Sequence, residues 1–249
     1  EGELVLSNAE IIDVPNARAA AEKAADLAAQ GTCAALMKGK IHTDALLRAV
    51  LEVSALRTDR RLSHVFVEDL PGYPRLLFVA DAAVNIAPDL LVLRDIVQNT
   101  IDLARALGVD RPKVALLSAV ETVTPDIPST INAAAICKMA DRGEIVGADI
   151  DGPLAMDNAV SEQAARIKGI TSKVAGRADI LIAPDLEAAN ILAKDLDYLA
   201  GAEAAGITLG ARIPIALTSR ADTARERRAS AAIAAVLAAR NRDEDGEQA

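Results

Sequence analysis

Aromatic side chains are almost missing from this chain: of 249 residues, two are Tyr, two are Phe and none is Trp. Four rings offer no platform for stacking successive bases, and no run of Lys and Arg is long enough to follow a phosphate backbone. Together with a formal charge of −9, this argues against nucleic acid as a partner. Uncharged apolar runs of about 18 residues are also missing, as is a basic N-terminal region leading into a hydrophobic block. The expectation is a soluble, cytoplasmic protein with no membrane partner. Cysteine is scarce: Cys33 and Cys137 lie far apart without a CxxC partner and read as buried free thiols rather than as a disulfide or metal site. The two histidines, His42 and His64, have no second ligand at metal spacing, and His64 reads as a core or turn histidine satisfied by hydrogen bonds. The phosphate loops GxxxxGK[ST] and GxGxxG and the hydrolase elbow GxSxG do not occur, so neither a nucleoside triphosphatase nor a dinucleotide enzyme is supported.

What is present is a chain that folds. Hydrophobic residues make up 51% of it, enough for one large core or two modest ones and too many for disorder. Short apolar runs expected as strands (11–14, 34–37, 63–67, 76–80, 113–117, 145–150, 180–183, 207–209, 214–217) alternate with Ala-rich segments of helical period. The helices are expected at 16–29, 43–53, 88–107, 129–142, 158–167, 186–200 and 222–239. Strands apolar on both faces, each followed by a helix, predict an α/β fold whose mostly parallel sheet is covered on both sides.

Ligands in such sheets bind beyond strand ends, so polar residues at those junctions are the candidates. After 34–37 comes Lys38-Gly-Lys-Ile-His42-Thr43-Asp44, a basic turn into a helix capped by Thr43 or Asp44, with Arg48 one turn inside. Ser118 and Glu121 follow 113–117, and Pro184-Asp185 follows 180–183 with Asn190 in the next helix. After 214–217 comes Ser219-Arg220-Ala221-Asp222, where a hydroxyl, a guanidinium and the carboxylates of Asp222 and Glu226 meet the N–H groups of a helix start, a ready anion site. Asp149 and Asp151, ahead of Gly152-Pro153, read as turn residues rather than metal ligands.

Several blocks in order resemble the phosphate acetyltransferase and phosphate butyryltransferase family. They are Met37-Lys-Gly-Lys-Ile-His-Thr43 with Leu47-Arg48, Arg60-Arg-Leu-Ser-His-Val-Phe66, Asp81-Ala-Ala-Val-Asn85, Ile96-Val-Gln-Asn99, Leu117-Ser-Ala-Val-Glu-Thr122, Asp151-Gly-Pro-Leu154, Ala175-Gly-Arg-Ala-Asp179, Pro184-Asp-Leu-Glu187, Leu199-Ala-Gly-Ala202 and Leu217-Thr-Ser-Arg-Ala-Asp222. The chain looks nearest the butyryltransferase-like branch, which also occurs fused behind hydratase domains.

That resemblance implies two α/β/α lobes of the isocitrate dehydrogenase-like kind with a cleft between them, residues 1–56 and 218–249 forming the first lobe and 57–217 the second. It also implies a homodimer. The implied reaction is acyl-coenzyme A plus phosphate in equilibrium with acyl phosphate plus coenzyme A, for a butyryl or acetyl group, with coenzyme A as substrate and no metal or other cofactor. Ser219 and Arg220 would contact the reacting groups, and Glu226, seven positions past the serine, would be the base, with Asp222 as its rival and as helix cap. Arg48 would help bind the anionic substrate, with His42, Thr43, Lys38, Ser118, Glu121 and Asn190 around it. Family members usually begin with a further strand–helix segment, so the N-terminal part of the first lobe is expected to be incomplete, and the acidic end 243–249 to be a solvated tail. The alternative is a module that binds coenzyme A or acyl phosphate without turning it over.

Overall fold

The computed structural model describes residues 9–247, with the side chains of 243–247 left undescribed; the first eight positions and the last two of the acidic tail lie outside it. Eight strands form one sheet: β1 (Leu36–Met37), β2 (Ser63–Asp69), β3 (Leu77–Ala80), β4 (Lys113–Leu117), β5 (Asp149–Leu154), β6 (Ile180–Ile182), β7 (Glu203–Leu209) and β8 (Ile215–Ala216). Their order across the sheet is β1-β8-β7-β2-β3-β6-β4-β5. The pairings β1·β8, β3·β6, β4·β6 and β4·β5 are parallel, whereas β2 and β7 run antiparallel to their neighbours. The fold is therefore α/β with a mostly parallel sheet.

Helices α1 (Ala17–Ala29) and α2 (Thr43–Glu52) pack on the β1–β8 end. The others are α3 (Leu90–Ala106), α4 (Pro128–Asp141), α5 (Met156–Val160), α6 (Glu162–Ile167), α7 (Leu186–Tyr198) and α8 (Ala224–Glu247). Caps explain several starts: Asn16, Asp89, Ser161 and Asp185 each accept a backbone N–H from the first turn of the helix that follows. The largest apolar cluster joins α3, α4 and α8 to one face of the central strands, through residues such as Phe78, Ile96, Ile136, Ile180, Ile207 and Leu237. A separate cluster holds α1 and α2 against β1 and β8, with Leu36, Leu46, Leu47, Val50, Ile215 and Leu217 buried in it. Full burial of such side chains is worth about 1.5–3 kcal/mol each.

Four expectations fail. Residues 11–14 form no strand, and Ile11 is 90% exposed, so its apolar alternation has nothing to pack on among the described residues. The strand expected at 145–150 begins at Asp149 and runs through Gly152-Pro153, which the sequence reading assigned to a turn. Proline is tolerated there because β5 is the last strand of the sheet, where a missing N–H breaks no central ladder. The helix expected at 158–167 is two helices, divided where Ser161 leaves helical geometry and caps the second. The last helix starts at Ala224 rather than Asp222.

Gly206 sets the distance between β7 and the chain leaving β8: a Cβ there would strike the Leu217 carbonyl oxygen and lie 2.9 Å from His64 Nε2. Gly206→Ala should cost about 1–3 kcal/mol, the scale of overpacking a filled interior. Urea unfolding of the two proteins measures the difference, and an unchanged midpoint would mean that Leu217 moves aside freely.

Candidate active site

Strand β8 delivers Thr218-Ser219-Arg220 and strand β1 delivers Lys38, and the two exits are tied together. Lys38 N–H donates to the Ala216 carbonyl at 2.9 Å, and Thr218 Oγ1 donates to the Lys38 carbonyl at 2.9 Å. Lys38 is buried, and its ammonium donates to the Ile41 carbonyl at 3.4 Å. Burial pulls its pKa below the usual lysine value; the charge of Asp222 opposes that shift and that of Arg220 adds to it. Lys38, Arg220 and Asp222, 184 positions apart at the extremes (222 − 38), thus share one electrostatic neighbourhood.

Ser219 and Arg220 are exposed. Ser219 N–H donates to Asp222 Oδ2 at 2.7 Å, while Ser219 Oγ accepts from Ala221 N–H at 3.3 Å. The Asp222 carboxyl is pushed up by burial, with the Ser219 hydrogen bond pulling the other way and Glu226 adding repulsion. The α8 cap is Thr223, not Asp222. Thr223 Oγ1 accepts from Glu226 N–H at 3.2 Å and Glu226 Oε2 accepts from Thr223 N–H at 2.5 Å, a reciprocal capping box.

Helix α2 opens differently from expectation. Its N-cap is His42, exposed and without a side-chain capping bond, and Thr43 and Asp44 lie inside the first turn. The first N–H groups of α2 are therefore left for solvent or an anion. Arg48 is exposed on α2, in a small groove between α1 and α2 shared with Arg18, Glu22, Asp44 and Glu52; no residue of 218–226 lines that groove.

The remaining sequence candidates stand across the sheet and at its opposite edge, because the antiparallel pairings β7·β8, β2·β7 and β2·β3 turn the exits of β3 and β4 away from those of β1 and β8. Asn190 on α7 donates to the Ala82 carbonyl at 3.0 Å, holding the loop after β3. In that loop Asp81 accepts N–H bonds from His64 at 3.2 Å and from Ala83, Val84 and Asn85, each at 3.1 Å. Ser118 shares a hydrogen bond with Ser129 at 2.9 Å. Glu121 accepts from Asn158 and, at 2.8 Å, from Lys168, which holds its carboxyl below the usual range. The side-chain partners of Ser118 and Glu121 come from α4, α5 and the segment after α6, and the Ser118 N–H donates to the Leu154 carbonyl of β5; none comes from 38–48 or 218–226.

The sequence reading missed a buried polar row. His64 and Glu68 point to one face of β2, and Thr208 on β7 stands opposite His64. The His64 ring nitrogens, both Glu68 carboxylate oxygens and Thr208 Oγ1 are buried without a hydrogen-bond partner among the described residues. His64 is therefore a core histidine whose backbone N–H is bonded to Asp81 but whose ring has no hydrogen-bond partner among the described residues. Burial pushes its pKa down to about 3, against an upward pull from the nearby Leu217 carbonyl, so the ring stays neutral. Burial, reinforced by Asp197 and Glu226, pushes Glu68 up to about 8, with Lys194 opposing. Asp197 is raised by burial and by Glu226 in the same way. The visible signal was a glutamate on the apolar face of a strand. Cys33 and Cys137 are half-buried free thiols, and burial raises Cys137 to about 12. Among the described residues no helix is long and apolar enough to cross a membrane.

A carboxyl whose folded pKa lies above its unfolded value holds an extra proton between the two. The stability Glu68 contributes is thus complete below about pH 4.5 and is lost as the pH rises through 8. Glu68→Gln, neutral throughout, should match the parent near pH 4.5 and melt higher above pH 8, with a gap that opens as the pH rises between the two values. Melting curves across that range check this, and a gap that shrinks with pH contradicts it.

A family model described as phosphate acetyl/butaryl transferase matches residues 9–235. The phosphate acetyltransferase of Rhizobium meliloti is 59% identical over 243 residues, 97% of this chain and 77% of that protein. The phosphate butyryltransferase of Clostridium acetobutylicum is 44% identical over 230 residues, 92% of this chain and 76% of the relative. The crystal structure of a branched-chain phosphotransacylase from Enterococcus faecalis V583 superposes with a TM-score of 0.85 at 33% identity, covering 96% of this chain and 86% of its own. With a match running from the first described residues through the Ser219-Arg220 junction and into α8, this chain belongs to the phosphate acetyl/butyryl transferase family.

Proposed function

We propose that the protein is a phosphate acyltransferase that exchanges a short acyl group, butyryl or acetyl, between coenzyme A and inorganic phosphate. The observation that carries this reading is the meeting of Lys38, Ser219, Arg220 and Asp222 beside the uncapped start of α2. In the acyl phosphate-forming direction a phosphate oxygen attacks the thioester carbonyl, the C–S bond breaks and the thiolate of coenzyme A leaves. In reverse the thiol loses its proton, attacks the acyl carbonyl and expels phosphate. Negative charge builds on the carbonyl oxygen in both directions, which is where the Arg220 guanidinium, the Lys38 ammonium and the free N–H groups of α2 would act most strongly.

A thiol with a pKa of about 8.5 is mostly protonated at neutral pH, so a nearby carboxylate that accepts its proton helps form the nucleophile. Asp222 suits that role, because it lies beside Ser219 and burial raises its pKa. Glu226 is the rival; its carboxylate serves the Thr223 N–H of the capping box. Ser219 would bind the reacting phosphate or acyl oxygen, His42 and Thr43 would meet the anion at the start of α2, and Arg48, in the α1–α2 groove, would meet a more distant anionic part of the substrate. Ser118, Glu121 and Asn190, whose partners lie elsewhere and at the opposite edge of the sheet, stay outside this reading. A homodimer, a cytoplasmic location, fusion to a hydratase domain in a longer protein and a first lobe of 1–56 and 218–249 against 57–217 complete it. The apolar cluster of α1 and α2 draws Leu62, Ile213, Ile215 and Leu217 from the second segment, and α8 packs on β7, so on this reading the two parts would share packed layers.

Phosphorolysis of a panel of acyl-coenzyme A thioesters tests the activity, and turnover on none of them overturns it. Arg220→Ala should lose about 10²–10³ in turnover, as removal of one preorganised donor does. Lys at 220 should recover only part, since the planar fork is lost. Asp222→Asn should lose about 10²–10⁴, while Glu226→Gln, whose amide oxygen can still accept from Thr223, should keep most of its turnover. The opposite ranking of the last two variants would move the base to Glu226.

A further inference from the structure

A second feature lies far from that site. Near the other end of α8 is an open cavity of about 780 Å³, within the 300–1,000 Å³ range of small-molecule sites. Four arginines line it from four parts of the chain: Arg60 before β2, Arg105 in the last turn of α3 with its guanidinium against Gly147, Arg212 between β7 and β8, and Arg240 on α8. Among the described residues the acidic wall residues are Asp59 and Asp102. In a chain of formal charge −9, this is a local excess of positive charge opposite in sign to the whole. None of the wall residues falls in 38–48, 186–198 or 218–226, and from Ala224 to Arg240 the helix rises by roughly 24 Å, so the cavity is separate from the candidate active site.

The wall chemistry favours an anion more specifically than net charge does. Asp102 is already engaged, paired with Arg60 and accepting from Gln98 Nε2 at 2.9 Å. The C-terminal carbonyls of α3 would repel an anion, but Arg240 Nη1 donates to the Arg105 carbonyl at 3.2 Å and covers one of them. Guanidinium groups bind phosphate oxygens in pairs and keep their charge at every physiological pH. With Arg60 shared with Asp102 and the Arg105 guanidinium against Gly147, Arg212 and Arg240 remain, arginines of the wall with no carboxylate partner among the described residues and a pair suited to more than one phosphate group.

We propose that this cavity binds a small polyanion carrying two or more phosphate groups. The proposal does not depend on the acyl-transfer reading. Calorimetric titration with pyrophosphate, ATP and orthophosphate tests it, accompanied by amide hydrogen exchange. Pyrophosphate or ATP should bind and orthophosphate should bind at least about tenfold more weakly. Amides in 57–60 and 209–212 should exchange more slowly in the complex. The double variant Arg212→Glu, Arg240→Glu should weaken binding by at least about tenfold, whereas Arg220→Ala should leave it unchanged. Binding of pyrophosphate alone would assign an inorganic polyphosphate, and binding that needs ATP a nucleotide. Failure of both to bind overturns the proposal. So does binding lost in Arg220→Ala and kept in the double variant, which would place the polyanion at the candidate active site. Should the double variant not fold, slowed exchange confined to 38–48 and 218–226 in the parent protein overturns it equally.

Discussion

Strand β1 meets strand β8 over two residues a side, Leu36 opposite Ile215 and Met37 opposite Ala216, and the groups at the candidate active site leave from that short ladder. At a net 0.5–1.5 kcal/mol or so per hydrogen bond, such a ladder does not hold itself together. The apolar cluster around it does, with Leu36, Ile215 and Leu217 inserted among Leu46, Leu47 and Val50 of α2. The position of Lys38 relative to Arg220 is therefore set by packing on the far side of two strands, out of reach of any ligand. Chemistry at the strand exits and stability of the α1–α2 layer are one problem for this chain.

Long apolar periodicity was readable: the helices near 17–29, 43–52, 90–106, 128–141 and 186–198 and the strands near 63–69, 113–117 and 180–182 follow from pattern and caps. Boundaries failed where a local signal had two meanings. Gly152-Pro153 spells a turn in a central strand and is harmless on an edge, and strand order is a tertiary fact. The alternation at 11–14 had the right period without a surface to lie on. Asp222 and Thr223 are both competent caps, and only the reciprocal bonds to Glu226 distinguish them.

The candidate site was legible as a set of types at strand ends, and less so as a geometry. Ser219, Arg220, Asp222 and Lys38 could be found because each follows an apolar run. Glu68, Lys194 and Asp197 could not, since a glutamate in a strand and a lysine and aspartate on a helix ordinarily face water, and which face of β2 and α7 is covered depends on the order of the sheet. Carboxyl groups packed this way act on one another: Glu226 raises Glu68, Asp197 and Asp222 alike. The capping box therefore does more than close a helix end. It places the Glu226 carboxylate where, added to burial, it raises the neighbouring carboxyls.

Strand β5 is the last strand of the sheet, and its outer rim is the natural place for another chain to add a strand. Pro153 has no N–H to offer there, and the register with β4 shifts between Ala115 and Leu117, so the rim is neither complete as a row of donors nor regular. The edge is blunted against fibrillar or swapped pairing, and surfaces made of side chains, rather than backbone, are left to carry any association of this molecule on that side.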